Sequence, residues 1–400
     1  MNLRLLVFFL IILSFRFYFF HQHQTQLADG QMLSFETTIT SSPQTFGSRQ
    51  VFTANYKNRK IRITTSRFPE FNYGDAVRIN GSISNQYNRA IMMYFPKIAH
   101  LENKPSLLRR SLKAVDGLRG KLISLFSRTL PSPASSLLLG IIFGIKEQMP
   151  KDFSDNLKTT GVFHVVAASG MNVTLIGGFI SAFFAFFLKR QIAIALSILG
   201  IIFYAVLAGL EASIIRASIM GILVFSAQIM GRQSLAANGL ILAGFTMLFL
   251  DPSLISDIGF QLSFTATAGI LYIKPLLQKK EGSASNVLTT IAAQIGTLPI
   301  LLANFGAYSI YSILVNGLVL WTVPILMVVG GVGALLGLTL EPLGQLLIYL
   351  CYPLLLYFES VINLFGKMGG TIAIQSFSWQ LVGGYYCLLS SILLIFRKKK

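Results

Sequence analysis

Residues 153–178 read FSDNLKTTGVFHVVAASGMNVTLIGG, and the character of the chain turns there. A polar opening gives way at residue 161 to an apolar run that lasts to 188, long enough to cross about 30 Å of hydrocarbon. Inside that run the small residues Ala167, Ala168, Ser169 and Gly170 stand between His164 and Asn172. Backbone this free predicts a broken helix. At membrane depth a break is tolerated only where the released amides meet protein or a water-filled cavity, so the stretch is a candidate pore lining or substrate site. Close helix packing through the same small residues is the structural alternative. A serine nucleophile is the third reading, disfavoured because Ser169 lacks the full Gly-x-Ser-x-Gly elbow and His164 lies too near it for a general base.

Toward the carboxyl end, apolar segments follow at 191–210, 213–230, 234–250, 255–276, 287–304, 308–340, 343–365 and 380–396. The segment 132–145, just upstream, is short for a full crossing and predicts a re-entrant or interfacial element. The run 308–340, interrupted at Trp321 and Pro324, reads as one kinked helix or two short ones. Composition agrees: 53% hydrophobic and 12% charged residues exclude a soluble monomer. A net charge of +18 asks for anionic neighbours, either lipid head groups or a polyanion. Cys351 and Cys387 lie in apolar runs, and His21, His23, His100 and His164 are scattered. Neither a disulfide framework nor a metal centre is expected, and no cofactor.

Upstream the chain changes twice. Residues 3–20 form an apolar run with Arg4 and Arg16, followed by His-Gln-His-Gln-Thr-Gln rather than by small residues, which favours an uncleaved anchor over a signal peptide. From 21 to 130 short alternating runs recur between turn signals: 31–40, 49–56, 59–66, 75–83 and 89–95. Five such strands predict a small OB-type barrel. This segment holds sixteen Lys and Arg against six Asp and Glu. Its basic tract 109–128 has helical spacing that suits anionic lipid or DNA equally. The positive charges of short loops, Lys189 with Arg190, Arg232, Lys274, Lys279 with Lys280, and the terminal RKKK, predict a cytoplasmic side that leaves 21–160 outside. The expected fold is therefore a polytopic α-helical membrane protein with a small extracytoplasmic OB-type β-barrel domain. Its expected divisions are an anchor at 1–20, the barrel and linker at 21–130, the membrane core at 131–396 and a basic tail at 397–400.

Polar side chains inside the apolar segments mark cavities or helix contacts. Arg216 stands five residues after Glu211, so an internal ion pair competes with a wet path that a phosphate follows. Gln261, Gln294 and Asn316 read as inter-helix hydrogen bonds or as ligand groups, and Asp251 and Asp257 as helix caps.

Four ordered stretches carry a resemblance. FSDNLKTTGVFHVVAASGMNVTLIGG (153–178), LEASIIRASIMGIL (210–223), DPSLISDIGFQLSFTATAGI (251–270) and AAQIGTLPILLANFGAYSIYSILVN (292–316) resemble signatures of the ComEC family of bacterial DNA-uptake proteins. YGDAVRINGSI (73–83) is similar to the OB-type domain that precedes the family's membrane core. Met171 and Asn172 stand where many members have Leu and His. Many members also end in a metallo-β-lactamase-like domain, whereas this chain stops at RKKK without a His-x-His-x-Asp-His run. The resemblance implies a channel without that nuclease: an inner-membrane route for single-stranded DNA in natural transformation, with no catalytic residue. Candidate path residues are Ser169, Gly170, Asn172, Arg216, Gln261, Gln294 and Asn316. Arg59, Lys60, Arg62 and Arg78 are candidate phosphate contacts on the barrel. Tyr56 and Tyr87, with Phe52, Tyr73 and Tyr94, are candidate stacking faces, half of which alternation should send into the core. Implied partners are single-stranded DNA, membrane lipids, a DNA receptor, a cytoplasmic helicase or motor, a nuclease in trans and further copies of the chain. A small-molecule or lipid-linked transporter is the competing function.

Overall fold

The computed structural model describes residues 3–398 apart from 24–26, 40–42, 47, 58, 73, 88–89, 102–106, 147, 167–169, 232–235, 278–284 and 374–377. The chain forms two compact units, Phe15–Ser124 and Met1–Ser14 with Leu125–Lys400. Both boundaries fall inside helices, α1 (Leu3–Gln22) and α2 (Leu107–Thr129).

The smaller unit is a sheet half-barrel. Its strands are β1 (Met32–Thr38), β2 (Gln44–Phe46), β3 (Arg49–Tyr56), β4 (Arg59–Ser66), β5 (Ala76–Tyr87), β6 (Ala90–Tyr94) and β7 (Lys97–His100). Side chains alternate across the sheet, so period-two sequence becomes a buried face and a wet face. Phe35, Phe52, Ile61, Ile63, Val77, Ile79 and Met93 close the core. The strand order is β1-β5-β6-β4-β3-β2, with β7 also on β5. β4 and β6 are parallel, while β3–β4 and β1–β5 are antiparallel. A bridge between Ile39 and Ala54 ties the end of β1 back to β3 and curls the sheet on itself.

The larger unit is helical. It runs through α3 (Ala134–Phe143), α4 (Lys151–Thr159), α5 (Phe163–Val166), α6 (Gly170–Phe187), α7 (Arg190–Leu207), α8 (Ala212–Ile229), α9 (Ala236–Leu250) and a 3-10 turn at Pro252–Ser256. It continues through α10 (Ile258–Tyr272), α11 (Lys274–Leu277), α12 (Ser285–Phe305), β8 (Ala307–Ser309), α13 (Ser312–Val319), α14 (Thr322–Gly337), α15 (Glu341–Leu350), α16 (Tyr352–Lys367), β9 (Thr371–Ala373) and α17 (Trp379–Lys398). Among the described residues four helical spans are long and apolar enough to cross a membrane: Phe163–Phe187, Arg190–Leu207, Ala212–Ile229 and Val287–Phe305. Two bent pairs, α13 with α14 and α15 with α16, raise the number to six when each counts as one span. The first span takes in residues 167–169, so the break expected there lies outside the described residues. The run 308–340 resolves into two helices bent by 45°. α3 is a ten-residue helix with every residue buried, about 15 Å long at 1.5 Å per residue and too short to cross.

Close approach of α10 and α12 depends on glycine. A Cβ at Gly269 would strike the Ala292 carbonyl and one at Gly296 the Thr265 carbonyl, so a side chain at either position separates the helices. Pro299 inside α12 lacks the N–H that would serve the Ile295 carbonyl. Tyr385 of α17 replaces it, its hydroxyl donating to Ile295 O at 2.9 Å, and Tyr386 donates to Gly296 O at 2.7 Å. On α1, Phe9 stacks on Phe245 of α9 with ring centroids 4.3 Å apart. The outer faces of the helices carry Phe186, Leu250, Leu335 and Leu388, each more than half exposed. Apolar surface on this scale calls for lipid or a partner to cover it.

Candidate functional site

Arg216 sits on α8 where α6 and α10 meet it, and is 8% exposed. Its Nη1 donates to the Ser263 carbonyl and to the Thr267 hydroxyl of α10. The guanidinium carbon lies 6.0 Å from the Phe264 ring centroid. On the other side is Gly170, where a Cβ would stand 3.0 Å from Nη2, so the first residue of α6 leaves room for the guanidinium. Nε is buried without a hydrogen-bond partner. Every recorded partner is neutral. A buried cation without a carboxylate keeps a large desolvation penalty that a passing anion relieves.

The ion pair considered for Arg216 goes elsewhere. Glu211 accepts from Lys146 Nζ at 3.2 Å. Five positions along a helix turn the side chain by about 140° from its starting direction, which takes Arg216 off the Glu211 face. Lys146 and Lys158 flank the Phe163 ring at 5.7 and 5.8 Å from its centroid. Lys158 also reaches Asp155 Oδ1 at 2.8 Å. That hydrogen bond, with the ammonium charge, holds the Asp155 carboxyl below its ordinary value.

The remaining path candidates make separate helix contacts. Asn172 is buried, and its amide donates to Ile141 O at 2.7 Å and to the Tyr204 hydroxyl at 3.3 Å, while Tyr204 donates to Ile142 O at 2.9 Å. It thereby joins α6 and α7 to the carbonyls of α3. Gln261 Nε2 donates to Ile255 O at 2.8 Å, and its Oε1 is buried without a partner. Gln294 is engaged at both ends, donating to Ser312 Oγ at 2.7 Å and accepting from the Tyr308 hydroxyl at 2.8 Å. Asn316 is buried with Oδ1 unpartnered. Asp251 and Asp257 accept from the backbone N–H groups of Ser253 and Phe260, the capping role read for them. Ser169 lies outside the described residues, and His164 Nδ1 stands 3.2 Å from Gly161 O. Gly170 and Arg216 are thus the two path candidates seen to meet.

On the half-barrel the candidates separate by strand parity. Lys60 and Arg62 are exposed on the outer face of β4. Arg59 is half-buried with Nε unpartnered. Arg78 is already paired: its Nε donates to Glu36 at 3.0 Å across the β1–β5 register. Tyr56 packs toward the core with its ring 4.8 Å from Phe35, and Phe52 is wholly inside, so neither offers an open stacking face. Tyr73 and the side chain of Tyr87 lie outside the described residues. Arg49, Arg67, Phe68 and Phe95 lie just beyond or at the ends of the alternating runs, where period-two spacing carries no signal.

A family model described as Competence protein matches residues 141–399. "ComE operon protein 3" of Bacillus subtilis (strain 168) is 25% identical over 226 residues, 56% of this chain and 29% of the relative. An "Uncharacterized protein" of Aquifex aeolicus (strain VF5) is 30% identical over 182 residues, 44% of this chain and 42% of the relative. The aligned part of the chain therefore spans less than half the length of either curated relative. The family match takes in Asn172, Arg216, Gln261 and every helix that approaches the guanidinium, and on that match the chain belongs to the Competence protein family.

Proposed function

We propose that the chain is an inner-membrane channel component for uptake of single-stranded DNA in natural transformation. Family membership supports the competence role. The observation that carries the conduit is Arg216, a buried guanidinium among α6, α8 and α10 whose recorded partners are all neutral and whose Nε is free of any hydrogen bond. Such a group attracts phosphate and discriminates against cations. We read the half-barrel as an extracytoplasmic receiving domain of OB type, a reading supported by its antiparallel strands, the parallel β4–β6 pair and the return from β1 to β3. Lys60 and Arg62 on β4 are its outward phosphate contacts. No step in this reading uses a catalytic residue.

The test is complementation of a deletion strain. Arg216→Ala should lower transformation by at least about tenfold, as expected for loss of one charged contact of about 1.4 kcal/mol or more, with the protein still present in the membrane. Arg216→Lys should recover part of it. Equal transformation by Arg216→Ala and the wild type removes the residue from the path. Purified full chain should also bind an oligonucleotide with an affinity that falls steeply as salt rises. Absence of binding at low salt favours the small-molecule transporter.

A further inference from the structure

One end of the half-barrel exposes large apolar side chains that its fold does not need. Phe68 is 69% exposed, and Tyr94 and Phe95 are each 54% exposed. The Arg67 guanidinium lies 5.5 Å from the Phe68 ring centroid, with the exposed Glu70 carboxylate 4.0 Å from its Nε, and that of Arg49 lies 5.4 Å from the Phe95 ring centroid. Strand register makes this one patch. Arg49 faces Ser66 across β3–β4, Thr64 faces Tyr94 across β4–β6, and Phe95 N donates to Thr64 O at 2.7 Å.

The patch is held in place by its own backbone. Phe95 adopts φ +49°, a region a bulky aromatic rarely occupies, so strain is spent on presenting this ring outward. The loop carrying Arg67 and Phe68 is fixed from beneath by the buried Gln50. Its amide donates to the carbonyls of Ser66, Arg67 and Pro69 at 2.8, 3.2 and 2.6 Å, and its oxygen accepts from Phe71 N at 3.4 Å. Rigid support under exposed aromatics is the arrangement of a binding surface.

The same end of the half-barrel carries the start of β1. Met32, 75% exposed, faces Ser82, and Ile83 faces Met93, so Met32 and Tyr94 flank neighbouring positions of β5. We infer that this aromatic–arginine rim is a docking surface for an anionic bilayer. The rings and Met32 enter the interfacial layer while Arg49 and Arg67 meet lipid head groups. Lys60 and Arg62, by contrast, lie along β4 away from the rim and leave that face to a polyanion. The inference rests on the membrane half of the proposed function and is independent of DNA passage.

The full chain with Trp321→Phe and Trp379→Phe, reconstituted in anionic phosphatidylglycerol nanodiscs, provides the test. Brominated lipid should quench the emission of Phe95→Trp roughly twofold, as contact at the acyl boundary requires. Asn55→Trp, at the far end of β3, should be unaffected. Adding Arg49→Glu and Arg67→Glu should bring the Phe95→Trp signal to the Asn55→Trp level, and zwitterionic lipid should weaken it. Phe186→Trp, on the outer face of α6, reports insertion itself. Quenching at 186 without quenching at 95 overturns the docking surface and leaves the membrane reading intact. Quenching at neither position overturns both. An oligonucleotide that shifts the Phe95→Trp emission where brominated lipid does not would make the rim a nucleic-acid site and also end the proposal.

Discussion

The half-barrel and the helical unit turn the same apolar chemistry in opposite directions. In the half-barrel, Phe52, Ile61, Ile63 and Met93 pack together in the core, and along β4 the charged Lys60 and Arg62 face water. In the helical unit the outer surface carries Phe186, Leu250 and Leu388, whereas polar groups such as Asn172, Gln294 and Arg216 are found between helices. The first region is stabilised mainly by taking apolar area out of water. The second is held by close backbone approach and by side-chain hydrogen bonds to carbonyls of neighbouring helices. Substitutions should therefore act by different rules in the two regions.

The largest effect should follow from emptying the half-barrel core. Phe52→Ala should cost about 3–5 kcal/mol there, seen as early proteolysis within 15–124 while the helical signal persists. Simultaneous loss of both units would break the comparison. Next comes Arg216→Met, which trades a buried charge for an apolar side chain of similar length. It should leave stability unchanged or raise it by up to about 4 kcal/mol, even though transformation falls, because the desolvation penalty disappears with the charge. Thermal unfolding in detergent measures it, and clear destabilisation would make the guanidinium a structural staple. Tyr385→Phe sharpens the contrast further. It leaves the Ile295 carbonyl, which Pro299 cannot serve, without a donor, at about 1–3 kcal/mol. Tyr386→Phe should cost less, since the N–H of Ile300 is placed to serve Gly296 within the helix. The smallest effect belongs to the exposed Arg78–Glu36 pair, where a double-mutant cycle should give about 0.2–1 kcal/mol, screened by salt.

Legibility differed between the regions for the same reason. Alternation marks inside and outside directly, so β3 and β4 were read to the residue, while β2 and β7, three and four residues long, carry too little pattern to stand out. The parity rule also predicted that some of the stacking candidates would turn inward, as Phe52 and Tyr56 do. Helices apolar on every side announce their existence and hide their facing. The segments were legible, but the partner of Glu211 was sought five residues away and found in Lys146, separated by 65 positions. Asn172 stands beside small residues, and the sequence does not show that its amide donates to Ile141 O of α3 and to the Tyr204 hydroxyl of α7. Thr267 gave no signal at all, since a lone threonine in an apolar run is ordinary until a guanidinium is seen against it. The Arg49–Phe95 contact spans three strands, and no local pattern encodes it.

The proline in α12 has a consequence for how the molecule is made. Its bare carbonyl at Ile295 finds the Tyr385 hydroxyl 90 positions later. A ribosome releases α12 well before it finishes α17, and throughout that interval the oxygen must be hydrated or borrowed by another donor. The helix thus cannot be closed off from water or from other donors as each segment emerges. Helix α17 closes over α12 like a latch, and chains cut short before residue 385 should be degraded faster than the full chain even though α12 itself is present.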